Sequence, residues 1–440
     1  MRKFQAIVTI VTLWACSPAR GQTPAPAQPA VPAASLSLPQ ATALALKSHP
    51  QISAAQDTEA SAGQKIIESR APYYPTLDGE ITAAQGLFDS RLGAGSLSSS
   101  QLFNRFGQGL QITQLVSDFG RTKNLVAQSQ FQSQAAAQNT QATVYNVVLG
   151  VNRGYFGVLQ AQAFVTVANE TIKARQTLSD QVTALANAQL KSQLDVSFAD
   201  VNLSEAKLLL IRSQDAVERA YADLARSMGQ ENVVRYRLDT VPPPGAPPAS
   251  AEPLITEAIQ NRPELRNLQL QVQGAESFER AEADLTHPSV SFIAVGGGLP
   301  YLNQDPRVAP HGYEGAAVNV DIPIFNGHLF SARKQAARYE ADAASQRYRN
   351  LRQQVELDVR GAWISASTAY QRIPVTQQLL NQAQLALQLA QGRYNLGLAS
   401  IVEITQAQLN LTQAQIENVS AVYDYQIAYA QLQYTVGSLR

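Results

Sequence analysis

The chain repeats itself, and this limits its folds more than any other feature. Ala220-Tyr221-Ala222-Asp223-Leu224, closed by Gly229, recurs 208 positions later as Ala428-Tyr429-Ala430-Gln431-Leu432, closed by Gly437. At the same offset Val201-Asn202-Leu203-Ser204-Glu205-Ala206 meets Leu409-Asn410-Leu411-Thr412-Gln413-Ala414, Asp195 meets Glu403 and Ser192 meets Ser400. Arg262-Pro263-Glu264-Leu265 answers His49-Pro50-Gln51-Ile52, and Pro288 answers Pro75, both 213 positions apart. Chance matches in Ala-rich helices do not hold one register for so long, so the chain is an internal duplication.

Each copy combines two periodicities. After Pro75, Leu77, Gly79, Ile81 and Ala83 alternate with Asp78, Glu80 and Thr82; this period of two predicts a strand over about 76–84. The same alternation predicts strands over about 106–116, 289–295 and 317–324, the last with Val318, Val320 and Ile322 against Asn319 and Asp321. Gly- and Ser-rich loops join the strands of each pair, and Gly296-Gly297-Gly298 is expected to turn. Leu299-Pro300 follows it, not the Lys-Ser/Thr pair of a phosphate-binding loop.

Asp118-Phe119-Gly120-Arg121 turns the chain into a helical region running to about Gln189, followed by a helix from Ser192 to Met228. The second copy ends in the same way over Gln377 to Leu439. There Leu380, Ala383, Leu387, Ala390, Tyr394 and Gly397 step alternately by three and four, a coiled-coil period. Gly in a helical pattern costs about 1 kcal/mol against Ala, so Gly397, with Gln189 at its counterpart position, marks a hairpin bend. A rod of roughly 65 residues would be roughly 100 Å long, beyond any single globular core, and needs partners along its length.

These signals divide the chain into an export segment (1–21), a Pro/Ala-rich flexible segment (22–35), a first repeat (36–232), a Pro-rich linker (233–250) and a second repeat (251–440). In the first segment Arg2 and Lys3 precede an apolar stretch, with Ala19-Arg20-Gly21 at a cleavage position. Leu13-Trp14-Ala15-Cys16 also resembles a lipoprotein box, so lipidation of Cys16 is the alternative to cleavage near Gly21. Cys16 is the only cysteine, which leaves the mature chain without an internal disulfide or a cysteine metal site. A formal net charge of zero, with 15% charged residues, gives no pull towards nucleic acid.

No later stretch is apolar enough for a membrane helix, so any membrane passage must use strands. Four two-sided strands are too few to close a sheet, and an open edge is forbidden in lipid. Identical chains sharing one barrel would remove the edges. Apolar residues would then face lipid, and Asp78, Glu80, Asn319 and Asp321 would face a watery lumen. Tyr73, Tyr74, Tyr301 and Tyr313, near strand ends, would suit an interfacial girdle. Alternation alone fits a soluble sheet with one wet face equally well.

From about Leu36 to Gly437 the chain resembles the TolC-like outer membrane efflux proteins. The resemblance is carried by Pro323-Ile324-Phe325-Asn326-Gly327, Arg262-Pro263-Glu264-Leu265, Tyr394-Asn395-Leu396-Gly397 with Ser400 to Ala407, and Tyr429-x-x-Leu432 before Gly437. It implies a mixed fold: duplicated long helical hairpins forming a coiled-coil barrel, plus four transmembrane strands per chain in a twelve-stranded barrel shared by a homotrimer. It also implies an outer membrane exit duct, with its helices in the periplasm. The duct would serve a tripartite efflux or type I secretion system, with a periplasmic adaptor protein and an inner-membrane transporter of RND, ABC or MFS type. The family motif at the hairpin tip carries an arginine and two acidic residues. Here Ala399 stands at the arginine position, Glu403 matches the first acid and Gln406 replaces the second.

The resemblance therefore makes Tyr394, Gly397, Ser400, Glu403 and Gln406 the candidates for the periplasmic constriction, with Ser192 and Asp195 at the matching positions of the first copy. Three copies of Glu403 around an axis would repel one another, raising their pKa and favouring cations. No enzyme is expected. His49, His287, His311 and His328 lack metal-ligand spacing, no serine sits in a nucleophile elbow, and no cofactor motif is present. The competing reading is a structural or adhesive periplasmic coiled coil, anchored at the outer membrane, that conducts nothing.

Overall fold

The computed structural model describes residues 35–84, 91–92, 100–101, 105–298 and 312–439. The export segment with Cys16, the flexible segment up to 34, most of both strand-joining loops, Tyr301 and His311 lie outside the described residues. In chain order the elements are β1 (Ser35–Leu36), α1 (Leu38–Ser48), α2 (Pro50–Arg70), β2 (Thr76–Ala84), β3 (Arg91–Leu92), β4 (Ser100–Gln101), β5 (Arg105–Ser117), α3 (Arg121–Asn187) and α4 (Gln193–Ser227). Then follow β6 (Arg237–Leu238), α5 (Glu252–Asn261), α6 (Pro263–Ala283), β7 (Ser289–Gly298), β8 (Gly312–Asp321), α7 (Leu329–Asn395) and α8 (Ile401–Val436). Among the described residues no helix is long and apolar enough to cross a membrane.

Helices α3 and α7 have 67 residues each, rods of about 100 Å. Their apolar residues are spread around the axis because each rod has several neighbours: α3 packs on α1, α2, α4, α6 and α8, and α7 packs on α5, α6 and α8. Residues 208 or 213 apart line two equivalent cores. Ala45, Ile52, Val147, Val151, Leu224 and Met228 are buried in one, and Ala258, Leu265, Val355, Val359, Leu432 and Val436 in the other.

His49-Pro50 interrupts the first helical region and separates α1 from α2. His49 has φ −72° and ψ 122°, ends α1 and caps α2; Arg262 does the same before Pro263, with φ −69° and ψ 121°. Proline offers no N–H and excludes the helical region for the residue before it. The Nδ1 of His49 accepts the Gln51 N–H at 3.2 Å, which requires a neutral ring. Burial holds this imidazole below its ordinary range, with the Arg226 carbonyl opposing. A histidine depressed in the folded state leaves the unfolded chain binding more protons below pH 6.5, so stability falls as pH drops through that region. The unfolding temperature is therefore expected to fall between pH 7 and pH 5 by more in the native chain than in His49→Asn, which keeps a cap but does not titrate. Equal falls would dismiss His49 as the cause.

The stretch from 232 to 239, featureless as sequence, contains β6, which pairs in parallel with β1. The prolines beyond it form a strap held by its carbonyls. The Tyr155 hydroxyl sits between the Leu36 and Asp239 carbonyls (2.9 and 2.7 Å) and Tyr221 donates to Tyr236 (2.6 Å), around the β1–β6 pair; along the strap Gln426 donates to Val241 (2.7 Å), Tyr425 to Gly245, and Trp363 to Pro248 (2.8 Å). Proline-rich chain has no internal hydrogen bonds, so its carbonyls are free to accept from the helices. Burial, with Tyr429 and Tyr370 nearby, pushes the Tyr425 phenol up to about 12.

The four long strands form one antiparallel sheet in the order β2-β5-β7-β8. Two strand expectations are corrected. Gly296-Gly297-Gly298 does not turn; it continues β7, pairing with Gln108 to Leu110 on one side and Gly312 to Glu314 on the other. Strand β8 runs Gly312–Asp321 rather than 317–324, because the glycines at its start are held in the ladder and Pro323 cannot extend it. Strand β5 reaches Ser117, with a bulge at Val116 between the Leu115 and Ser117 pairings.

Candidate functional site

The chain exposes two distinctive regions, the sheet and the far end of the helical hairpins. In the sheet, directly paired residues share a face. The pairings put Asp78, Gln111, Val295 and Gly315 in one row, and Glu80, Gly109, Gly297 and Tyr313 in the next row on the same side. Thr76, Thr113, Ser291, Asn319, Ser289 and Asp321 are also on this side, as are Leu115, Ile293 and Ala317. The other side carries Leu77, Ile81, Leu110, Ile112, Phe292, Val318 and Val320, each exposed by 37% or more. Its polar members are interspersed among them: Gln108 is in the row of Ile81, Glu314 in the row of Leu110, and Gln114 in the row of Phe292 and Val318. The result is a mostly apolar face.

Asp78, Glu80, Asn319 and Asp321 are thus brought to one face of one sheet. Tyr313 shares that face, so it cannot belong to a girdle on the apolar side; nothing in its local sequence signals this, because its strand begins earlier than alternation shows. Tyr73 and Tyr74 stand exposed just before β2.

At the opposite end the two hairpins meet. Gln189 and Gly397 both take positive φ, 62° and 73°. In each turn the following residue's N–H reaches back to close the helix, Leu190 to Leu185 and Leu398 to Arg393, both at 2.8 Å. Gln189 holds this conformation against its Cβ, whereas Gly397 does so freely. Gln189→Gly is expected to stabilise the first hairpin by about 0.5–1 kcal/mol and Gly397→Ala to destabilise the second by about 1 kcal/mol, read as protection of the tip amides from hydrogen exchange. Opposite signs would refute the shared geometry.

Ser192 and Ser400 cap the returning helices. Ser192 accepts from the Asp195 N–H at 3.2 Å while the Asp195 carboxylate accepts from the Ser192 N–H at 3.1 Å; Ser400 accepts from the Glu403 N–H at 3.4 Å. Tyr394 lies at the tip but is only 5% exposed, packed among Leu178, Val182, Val196, Ile401 and Ile404. Its place is the seam between hairpins, not an open wall. Burial, and then the Asp195 carboxylate, raise its phenol above the ordinary range. Glu403 and Gln406 are exposed; the Gln406 amide donates to Asn410 at 3.0 Å.

Two tip residues escaped the sequence reading. Arg393 pairs with Glu403 across the turn at 3.1 Å, and the Lys191 ammonium sits 4.7 Å from the centre of the Tyr394 ring. The first contact crosses a turn and the second joins the two hairpins, and helical spacing shows neither. Among the described residues no cluster of His, Asp, Glu or Cys could hold a metal.

A two-sided sheet at one end and paired coiled-coil hairpins at the other are also found in known proteins. The outer membrane protein TolC of Salmonella enteritidis is 23% identical over 422 residues, covering 89% of this chain and 80% of that protein. A solved structure of CusC aligns with a TM-score of 0.80 at 20% identity, covering 91% of this chain and 92% of the other. The open state of the Neisseria gonorrhoeae MtrE outer membrane channel aligns with a TM-score of 0.76 at 18% identity, covering 92% and 89%. The family profile described as outer membrane efflux protein matches residues 41–230 and 254–438, both copies of the duplication. With nearly the whole chain matched and the fold shared, this protein belongs to the outer membrane efflux protein family.

Proposed function

We propose that three copies of this chain close their sheets into a twelve-stranded outer membrane barrel, continued by a tube of helices in the periplasm. The duct passively conducts molecules delivered by an inner-membrane transporter of RND, ABC or MFS type through a periplasmic adaptor. The observation that carries this reading is the sheet. Strands β2 and β8 have partners on one side only among the described residues, and the sheet has one mostly apolar face and carboxylates on the other. In lipid each unpaired backbone group costs several kcal/mol, so these edges call for neighbours, and identical neighbours supply matching ones. Asp78, Glu80, Asn319 and Asp321 then line the lumen.

The helices support assembly of identical chains. On α4, Leu194, Phe198, Val201, Leu208 and Ile211 follow a coiled-coil spacing and are exposed; on α7, Val375, Leu379 and Leu389 do likewise. Such seams in water mark surfaces awaiting a partner, and a ring of identical chains would bury both. The division into repeats 36–232 and 251–440 joined by the strap at 233–250, behind an export segment at 1–21 with Cys16 as the alternative lipid anchor, belongs to this proposal. So does adaptor contact through the tip, where Leu190, Leu396, Leu398 and Val402 are exposed.

The test is reconstitution. A detergent-extracted, heat-resistant oligomer that conducts in planar bilayers is expected; a non-conducting coiled coil, extracted without detergent, would overturn the proposal. Glu403, at the tip with Ser192, Asp195, Gly397, Ser400 and Gln406 around the turns, is the residue proposed to bias conduction. Glu403→Ala is expected to weaken cation selectivity in single-channel reversal potentials, while Arg393→Ala, which frees the carboxylate, strengthens it. Unchanged selectivity in both would remove Glu403 from the conduction path.

A further inference from the structure

On the carboxylate-bearing face of the sheet, Tyr313 does not stand upright as strand side chains ordinarily do. It starts on β8 and lies across β7 towards β5. A Cβ added at Gly297 on β7 would be 2.6 Å from the ring, and one added at Gly109 on β5 would run into the hydroxyl. Both positions are in the same row of the register as Tyr313 and Glu80. Two absent side chains thus make a floor on which the ring can lie, a cross-strand pairing of aromatic and glycine. One face of the ring covers the glycine backbone. The residue remains 43% exposed, so the other face is open.

We propose that Tyr313 is a stacking shelf for planar aromatic passengers near the outer end of the duct. The inference rests on the reading above that this face lines the lumen. A flat ring supported from below offers stacking area without ordering a mobile side chain, and keeps the section of the duct wide. Gly109, Gly297 and the following Gly315 keep the neighbouring wall low, so a planar molecule can approach the ring without meeting a side chain at those positions. The Asp78 carboxylate lies one row inward on the same face, which favours passengers that are both aromatic and cationic.

The test is block of single-channel current in the reconstituted oligomer, with probe added on the barrel side. Ethidium serves as the planar aromatic cation and tetrabutylammonium as an aliphatic cation of the same charge. Tyr313→Ala is expected to raise the blocking concentration of ethidium about tenfold and leave that of tetrabutylammonium within about twofold, as loss of one stacking contact predicts. Tyr313→Phe is expected to keep the native ethidium block. Should Tyr313→Ala fail to assemble, Gly109→Ala is the second variant. Its methyl meets chiefly the phenol tip, so the ring must lift, and ethidium block alone is expected to weaken. An unchanged ethidium block, or equal changes for both probes, overturns the shelf. Native protein that never conducts would instead overturn the duct, and the shelf with it.

Discussion

Replacing Arg333 by methionine is expected to destabilise the chain by about 3 kcal/mol, and Glu282→Gln in the same chain is expected to recover most of that loss. Glu282 closes α6 just before β7 and its side chain is 2% exposed. The Arg333 guanidinium, in the early turns of α7, places Nε 2.7 Å from one carboxylate oxygen and donates from Nη2 to the other at 3.4 Å. Arg121, the first residue of α3, is further away at 3.9 Å. Each charge sits at the unfavourable end of its own helix: an acid where α6 ends, bases where α3 and α7 begin. Their role is therefore to hold one another, tying three helix ends together where the sheet meets the rods.

Removing the partner of a buried charge costs more than the pair contributes, because the survivor keeps its desolvation penalty; here Glu282 is the buried charge and Arg333 is half-exposed. Arg333→Met leaves Glu282 buried with only the distant Arg121, whereas the double variant leaves no buried charge. The measurement is the urea or thermal midpoint of the detergent-solubilised oligomer in a double-mutant cycle. Equal losses in single and double variants would mean that Arg333 acts through its packing alone. The surrounding contacts are polar as well: the Asp284 carboxylate accepts from the Asn124 amide at 2.7 Å, and Asp118 accepts from the Thr122 N–H at 2.7 Å.

This junction shows what the sequence could and could not convey. The duplication, the two periodicities and the proline breaks are local or strictly repeated, and they carry the order of elements and the two-sidedness of the sheet. Contacts between distant segments are not encoded in any local pattern. Glu282 and Arg333 lie on separate helices, and the two-residue strands β1 and β6 pair across some two hundred positions. The glycines at 296–298 misled for a different reason. Their intrinsic preference is for turns, yet ladder bonds on both sides and the ring of Tyr313 laid over Gly297 hold them in a strand. At the tip, matching turns were legible from the 208-residue offset, but their serine caps, the Arg393–Glu403 pair and the burial of Tyr394 depend on how the chain folds back on itself.

The two faces of the sheet yield the other large effect. Ile112 lies mid-strand on the apolar side, in a row with Leu77, Ala294 and Ala316; Gln111, the next residue on the same strand, points to the carboxylate side. An arginine facing lipid at the bilayer midplane costs about 2–4 kcal/mol, and in the proposed trimer three symmetric copies would multiply this to about 6–12 kcal/mol per barrel. Ile112→Arg is therefore expected to abolish membrane-inserted, heat-resistant oligomer, whereas Gln111→Arg is expected to assemble at close to native yield. The comparison controls for strand, depth and substituent, since the two sites differ by one residue and one face. If the face rather than the residue matters, Leu110→Arg should fail like Ile112→Arg, because it stands two residues away on the same apolar side. Assembly of all three variants would place water on both faces and end the barrel reading; failure of all three would mean that the strand tolerates no arginine and that neither face is special.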